Sequence, residues 1–452
     1  MRNYLLFFLF AIPLFSQAQD TYTLKFLPQI NQSQWANASN QTDAKITIGL
    51  PLISNFSFQF YNSGFTYHDL FQRVDNNTVA IHPSDFINHL KDNNIIGIGA
   101  TVAIFSINIA QPDYSVGFSI NDKIDARFNY PKDLLKFFWY GNGAYLGQTV
   151  NIGNMALNAS WYREYALHAT KNYEKWTFGI SPKLLFGKVN INTKQSSLQL
   201  YTAPDFYDIT ANPKMNVQTS GFSDSADRAT GGNQSFSQYF FDSKNRGLGI
   251  DLSAKYQLNK QVSISGGINN LGYIKWQNHV HNFTAGPSAF SFDGFDISSY
   301  FQGDTNILST SKLVDSVKNL IKFQKNSSSY TTPLPYELYA MGNYQLNDRH
   351  TLGLLLDAQR FNQSMVLAGT VCYQINLNKY FTGALSYTAK TDAYFNLGIG
   401  LIAHVGPIQI YFVADNWWAS IEPLDSKNVN LSTGINLAIG QRKTAKTENR
   451  AD

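Results

Sequence analysis

Apolar and polar side chains alternate along residues 429–440. Val429, Leu431, Ile435, Leu437 and Ile439 fall on one face, broken only by Thr433, and Asn430, Ser432, Gly434, Asn436, Ala438 and Gly440 fall on the other. A period of two marks a β-strand with one greasy face and one small or polar face. The pattern recurs. Leu248, Ile250, Leu252, Ala254 and Tyr256 oppose Gly249, Asp251, Ser253, Lys255 and Gln257. Leu352, Leu354, Leu356 and Ala358 oppose Thr351, Gly353, Leu355, Asp357 and Gln359. Such segments outrun the ~5–6 residues usual in soluble sheets. They reach the ~9–11 residues that a tilted strand needs to cross a bilayer.

Connection lengths turn these strands into a topology. Asn259-Lys260, Asn347-Asp348, Asn378-Lys379 and Gly406-Pro407 are tight turns, whereas 277–333, 360–364, 390–393 and 417–428 are longer. Upstream, 111–113 and 171–172 are short, while 129–144 and 193–245 are long. Short turns on one side and long loops on the other are the mark of an outer-membrane barrel. The expected strands are 45–53, 56–62, 94–109, 114–128, 145–168, 175–192, 246–258, 261–275, 334–346, 349–360, 364–377, 380–389, 394–404, 407–416 and 429–440. That list has one strand too many or too few, because bacterial barrels hold an even number. The N-terminal pair is the weakest part of it. About 14 strands are favoured, with 16 if residues 21–26 form another. The expected fold class is an all-β, transmembrane, antiparallel up-and-down β-barrel with short periplasmic turns and long extracellular loops. The barrel covers 45–440, a polar periplasmic tail covers 441–452, and 19–44 is a candidate lumen plug.

Loop helices are expected where Pro83-Ser84-Asp85 precedes Phe86, Ile87 and Leu90, with Ser84 as N-cap. A second is expected where Pro131 at the first helical position precedes Leu134, Leu135, Phe137 and Phe138. Residues 311–323 form one more amphipathic candidate.

Composition narrows the setting. Met1-Arg2-Asn3, an apolar run over 4–15 and Ser16-Gln17-Ala18 read as a signal peptide, 1–18, cut after Ala18. Export of a barrel then means the cell outer membrane of a Gram-negative bacterium. Charged residues make up 15% and aromatic residues 15%, with Tyr 26 and Phe 33, which favours β structure. The net charge of +4 is too small and diffuse to point to nucleic acid. One cysteine, Cys372, excludes a disulfide framework and is a poor start for a thiol or metal site.

The segments "RGLGIDLSAKYQLNKQVSISGGINNLGYIKW" (246–276), "FLPQINQSQWANAS" (26–39), "GLPLISNFSFQFYNSGFTYHDLF" (49–71), "YPKDLLKFFWYGN" (130–142) and "GPIQIYFVADNWW" (406–418) resemble an uncharacterised family of Bacteroidetes outer-membrane β-barrels, a domain of unknown function. That family is distantly similar to fatty-acid-transporter-like barrels and to membrane components of type IX secretion. Asn270 stands where the resemblance implies a carboxylate. No assigned activity and no functional residue carries over.

Candidate chemistry is sparse. His279 and His281 share one face of an extended segment, and no third metal ligand is spaced to join them. Asp224, Asp227 and Asn233 lack the regular spacing of a calcium loop. Histidines 68, 82, 89, 168, 279, 281, 350 and 404 are scattered, and there is neither a G-x-S-x-G elbow nor a nucleotide loop. The expectation is a protein that is not an enzyme and has no cofactor or metal. Gly266-Gly267, where the apolar phase slips, is read as a bulge or as a lateral opening.

Asp251, Lys255 and Asp357 lie on polar strand faces and become candidate lumen contacts. A lysine facing lipid would cost about 2–4 kcal/mol at the bilayer midplane, so that face points inward. At the outer end of the 407–416 strand, Trp418 continues the apolar face and is expected at the lipid interface, as is Trp276 at the end of its own strand. Trp417 and Asp415 fall on the inward face as candidate ligand contacts. The expected partners are outer-membrane lipid, with either a hydrophobic small molecule or secretion-complex proteins. The leading role is passage or uptake of a hydrophobic or small solute through a plugged barrel, and it predicts a continuous apolar pocket from the loop helices into the lumen. The alternative is a non-enzymatic scaffold or assembly component, which predicts a filled lumen.

Overall fold

A computed structural model describes residues 22–442 apart from 74–78, 82, 206–207, 223–241, 287–289, 293–322, 362–363, 392 and 423–425. The strands form one closed antiparallel barrel of 14. In chain order the first four are β1 (Ala44–Gly49 and Phe56–Asn62), β2 (Asn93–Ala110), β3 (Tyr114–Pro131) and β4 (Ala156–Tyr173). Next come β5 (Trp176–Thr202), β6 (Ile209–Ser220 and Asn245–Gln257), β7 (Val262–Trp276) and β8 (Tyr330–Pro333 and Tyr336–Gln345). The barrel is completed by β9 (His350–Phe361), β10 (Ser364–Asn376), β11 (Phe381–Lys390), β12 (Ala393–Val405), β13 (Ile408–Ala414) and β14 (Asn428–Gln441). Each strand pairs with the next, and β14 returns to β1 (Ile46 opposite Ile439, Phe56 opposite Thr433).

The odd strand of the sequence count disappears in β1. Both of its pieces pair with β14 on one side and β2 on the other, so they share one place in the wall. Residues 50–55 loop out between them. Leu52, with φ 66°, and Ile53 are exposed on the outer surface. Ser54 and Asn55 are buried inside, where their carbonyl and amide oxygens accept from the Tyr411 hydroxyl at 3.0 and 2.8 Å.

The loop expected over 193–245 is partly wall. β5 continues to Thr202, and Ile209–Ser220 pairs with its upper half, while Asn245–Gln257 pairs with its lower half. Residues 22–25 are α1 (Tyr22–Lys25), a helix and not the sixteenth-strand candidate. Outer loops carry α2 (Tyr67–Leu70), α3 (Pro83–His89) and α4 (Lys132–Tyr140). Ser84 lies inside α3 and not at its cap, and Pro131 is the N-cap of α4, one residue before its expected place. The signal peptide, the 311–323 candidate, Asp224, Asp227, Asn233 and the tail beyond 442 fall outside the described residues.

The alternation has a physical outcome on each face. Leu248, Leu354, Leu356, Leu367, Val371 and Leu401 are exposed on the outside, an apolar belt that only a bilayer covers. No described helix is long and apolar enough to cross a membrane. The main hydrophobic cluster lies inside the barrel. There Tyr22, Leu24, Phe26, Leu27 and Ile30 of the N-terminal segment pack against inward residues of β8–β13, including Met341, Leu355, Cys372 and Ile402. Gly353 makes room for this, because a Cβ on it would collide with the Phe26 ring.

The phase slip in β7 is a bulge, and it lies three residues beyond the glycines. Gly266 and Gly267 pair regularly with Ala254 and Ser253. The register shifts opposite Ile250–Leu252, where Asn269 and Asn270 together face the single residue Asp251 and Asn270 takes φ 58°. Below the bulge Ser263 and Asn269 point inward, and above it Ile274 and Trp276 do so, while Leu271 and Tyr273 face lipid. A bulge inserts one residue and so exchanges the two faces.

Candidate functional site

That exchange corrects one assignment. Trp276 is 0% exposed and sits inside the wall, with its indole N–H donating to Thr332 Oγ1 at 2.8 Å. A Cβ on Gly187 would strike its ring, so glycine is required across from it. It is not a lipid-interface residue.

Asp357 and Asp251 are both buried in ion pairs that bind the structure together. Lys25, on the N-terminal segment and completely buried, places Nζ 2.5 Å from Glu337 Oε1 on β8 and 3.3 Å from Asp357 Oδ2 on β9. Glu337 accepts a further 2.6 Å bond from the amide of Asn269, which also donates to the Ala36 carbonyl at 2.8 Å. Burial alone would lower the pKa of Lys25; the carboxylates of Glu337 and Asp357 outweigh it and raise the pKa above the ordinary lysine value. Asp251 on β6 meets Lys183 of β5 at 2.7 Å, and Glu164 of β4 bridges Lys183 at 3.4 Å and Lys123 at 2.9 Å. Asn270 completes this set without a charge. Its side-chain oxygen accepts from Lys183 at 2.7 Å and its backbone N–H donates to Asp251 at 2.7 Å. Lys255, on the same strand as Asp251, belongs to no ion pair among the described residues.

Asp415, just past β13, receives the free N–H groups at the start of α1. Tyr22 N–H donates to Oδ2 at 3.2 Å and Thr23 N–H to Oδ1 at 2.7 Å. A carboxylate at a helix start satisfies donors that lack an intrahelical partner. Asn430 holds the same carboxylate from the other side at 3.0 Å.

Trp417 and Trp418 do not continue β13. The strand ends at Ala414, and Trp417–Ser420 forms a 3-10 turn in which the two rings meet edge to face at 6.0 Å. Strand alternation therefore does not decide which ring faces which way. Trp418 N–H donates to Glu422 at 3.2 Å at the outer rim, and both rings are half-buried.

Around the inner face the N-terminal segment meets wall strands on several sides. Thr23 bonds Ser386 at 2.7 Å, Gln32 bonds Asn436 at 2.9 Å, Asn37 accepts from Tyr339 at 2.8 Å and the Gln29 carbonyl accepts from Gln409 at 2.9 Å. A small cavity of about 100 Å³ lies between Leu24, Gln32, Trp35 and the wall residues Lys123, Glu337 and Phe361. Above it a cavity of about 850 Å³ opens among the upper parts of β3, β4, β5, β6, β8 and β9. Asp125, Pro335 and Phe361 line both, so they form the neck between the two. The guanidinium of Arg127 stands 3.2 Å from the Phe361 ring centre and 3.6 Å from Asp125.

Among the described residues, none of those in α3 or α4 lines either cavity. Phe86, Ile87 and Leu90 of the α3 region pack with Tyr130, Phe65 and Leu134, and so cover one another. Among the described residues no group of three or more His, Cys, Asp or Glu could hold a metal ion. His279 takes φ 46°, which breaks the extended face it was expected to share with His281.

Sequence reasoning missed Lys25, Glu337, Lys183 and Glu164, the other halves of the ion pairs. One signal was present: Lys25 is a lone charge in the otherwise apolar and polar-neutral stretch 21–42.

The model of a family of unknown function, DUF5723, matches residues 39–415. No curated protein matches the chain by sequence. Among solved structures, the chain is similar to a deltaS2S3 mutant of the monoaromatic hydrocarbon channel TodX, with 10% identity, 94% of this chain and 96% of that chain covered and a TM-score of 0.42. It is also similar to a Pseudomonas aeruginosa FadL homologue, with 9% identity, coverage of 91% and 94% and a TM-score of 0.39. A third similar structure is the Ralstonia pickettii toluene transporter TbuX, with 9% identity, coverage of 91% and 94% and a TM-score of 0.34.

Proposed function

We propose, for a chain that belongs to the DUF5723 family of unknown function, that this outer-membrane barrel passes a small solute and that its N-terminal segment is the plug that gates the lumen. The observation that carries this reading is the arrangement at the neck. A cavity of about 850 Å³ at the outer mouth ends on the segment 22–40 across Asp125, Pro335 and Phe361. That segment is held by side-chain packing and by separate polar contacts through Lys25, Asn37 and Asp415, and it contributes no strand to the wall. Such a piece can leave without opening the barrel, because the ladder from β1 to β14 closes independently of it.

The test is conductance in planar bilayers, with the wild-type chain compared with a deletion of 22–40 whose barrel keeps heat-modifiable gel mobility. The wild type is expected to stay closed and the deletion to conduct. A folded deletion barrel that stays closed defeats the reading. Flux assays in proteoliposomes with a sugar and with toluene then decide between a polar and a hydrophobic solute.

The filled interior also suits the second reading, a scaffold in a secretion or surface complex. Phe138 at 81% and Tyr394 at 75% exposure stand at the outer rim. A stable partner copurifying from native membranes, together with a deletion barrel that stays closed, would favour that role.

A further inference from the structure

We infer that the outer cavity is a binding site for an uncharged, polyhydroxylated ligand, in chemical class a neutral saccharide. This deepens the passage reading, from which it takes the cavity as the outer entry. The inference rests on the chemistry of the lining. Asn129 on β3, Asn158 on β4, Asn190, Asn192 and Gln195 on β5 and Asn216 on β6 converge on one space of about 850 Å³. That is within the ~300–1,000 Å³ of small-molecule sites.

Each primary amide carries two donors and a carbonyl acceptor on a plane. A hydroxyl is likewise both donor and acceptor, so a ligand with several hydroxyls matches several amides at once. Part of this capacity is unspent. Asn129 and Asn216 make no side-chain hydrogen bond among the described residues. Asn158 accepts from the Thr193 N–H at 3.1 Å, which leaves its amide hydrogens to a ligand. Asn192 donates to Gln218 at 2.9 Å, which leaves its oxygen. Ser196, also lining the cavity, has a buried hydroxyl with no partner.

Two other ligand classes fit worse. An apolar solute would bury the unspent groups of Asn129, Asn158, Asn192 and Asn216 without partners, which costs about 1–3 kcal/mol for each group left unpaired. An anion would need an available cation, yet the charged lining residues are Asp125, Arg127 and Lys194. Of these Arg127 is shared between Asp125 and the Phe361 ring, and Lys194 stands exposed at the edge.

The experiment applies the full chain in detergent to an array of neutral oligosaccharides, with uronic-acid oligosaccharides, inorganic phosphate and toluene as the contrasting probes in titration calorimetry. Saturable binding of a neutral oligosaccharide is expected. Asn129→Leu and Asn216→Leu, with unchanged heat-modifiable mobility, should each weaken it at least tenfold. No binding, preference for the acidic sugars, phosphate or toluene, or affinity untouched by both substitutions overturns the inference. If a variant fails to fold, the selectivity of the wild-type chain decides alone. Binding needs no passage. Saccharide binding by a chain whose folded 22–40 deletion stays closed would sink the passage reading and leave this assignment standing, and a conducting deletion without saccharide binding by the full chain would do the reverse.

Discussion

Lys25 Nζ lies 2.5 Å from Glu337 Oε1, across 312 residues of chain, with the lysine side chain wholly out of solvent. With Asp357 3.3 Å away on its other side, this lysine is one of the attachments that fasten the N-terminal segment to the wall. Lys25→Met leaves the Glu337 and Asp357 carboxylates buried without their cation, at a cost of roughly 3–5 kcal/mol. Hydrogen exchange of amides 22–27 should accelerate, and Lys25→Met combined with Glu337→Gln and Asp357→Asn should recover much of the protection. Unchanged exchange in the single variant would show that the pair does not seat the segment.

Asp415→Asn tests the other attachment. The variant keeps one acceptor oxygen and puts an NH2 donor in place of the other, so only one of the Tyr22 and Thr23 N–H groups retains a side-chain acceptor, and that bond is neutral. Hydrogen bonds to charged groups are worth about 1.5–3 kcal/mol against ~1 for neutral ones. Amides 22 and 23 should exchange faster while those of the wall strands do not. Equal acceleration across the barrel would mean that Asp415 supports the wall instead.

Gly353→Val acts from the wall side alone. Its side chain would collide with the Phe26 ring, and overpacking of this kind costs about 1–3 kcal/mol. If the segment is a plug, the variant should show brief openings in bilayer recordings that the wild type lacks. A closed trace from a folded variant counts against gating by this segment.

Trp276 and Trp418 should behave in opposite ways. Trp276→Ala removes a fully buried indole and its bond to Thr332, and should lower the unfolding free energy by about 3–5 kcal/mol. Trp418→Ala, at the half-exposed rim, should stay within about 0.5 kcal/mol. Brominated lipids should leave Trp276 fluorescence unquenched; strong quenching at 276 would return it to the lipid face.

Leu356, in the middle of β9 and 59% exposed, faces lipid. Leu356→Lys should destabilise the barrel by about 2–4 kcal/mol in bilayers. A neutral effect would mean that this part of the wall is covered by protein or water.

The wall was legible in the order of residues. Alternation is a local property, read within ten residues, and the rhythm of short and long connections follows from two unlike solvents at the two ends of the barrel. Even the slip in β7 was legible, because Ile264 and Leu271 cannot both face lipid on an unbroken strand. Its consequence for Trp276 needed the bulge to be placed at Asn269–Asn270, which only the pairing with β6 reveals. What the inward face does depends on contacts made across the closed barrel. Asp251 and Asp357 read as polar positions, but whether a buried carboxylate meets a ligand or a lysine depends on what stands across the barrel. Their partners, Lys183 and Lys25, lie 68 and 332 residues away. No pattern within a strand carries that information, since the closure of the barrel is what brings them together. The same holds for the amides of the outer cavity, which are unremarkable on each strand and become a site only where β3–β6 converge.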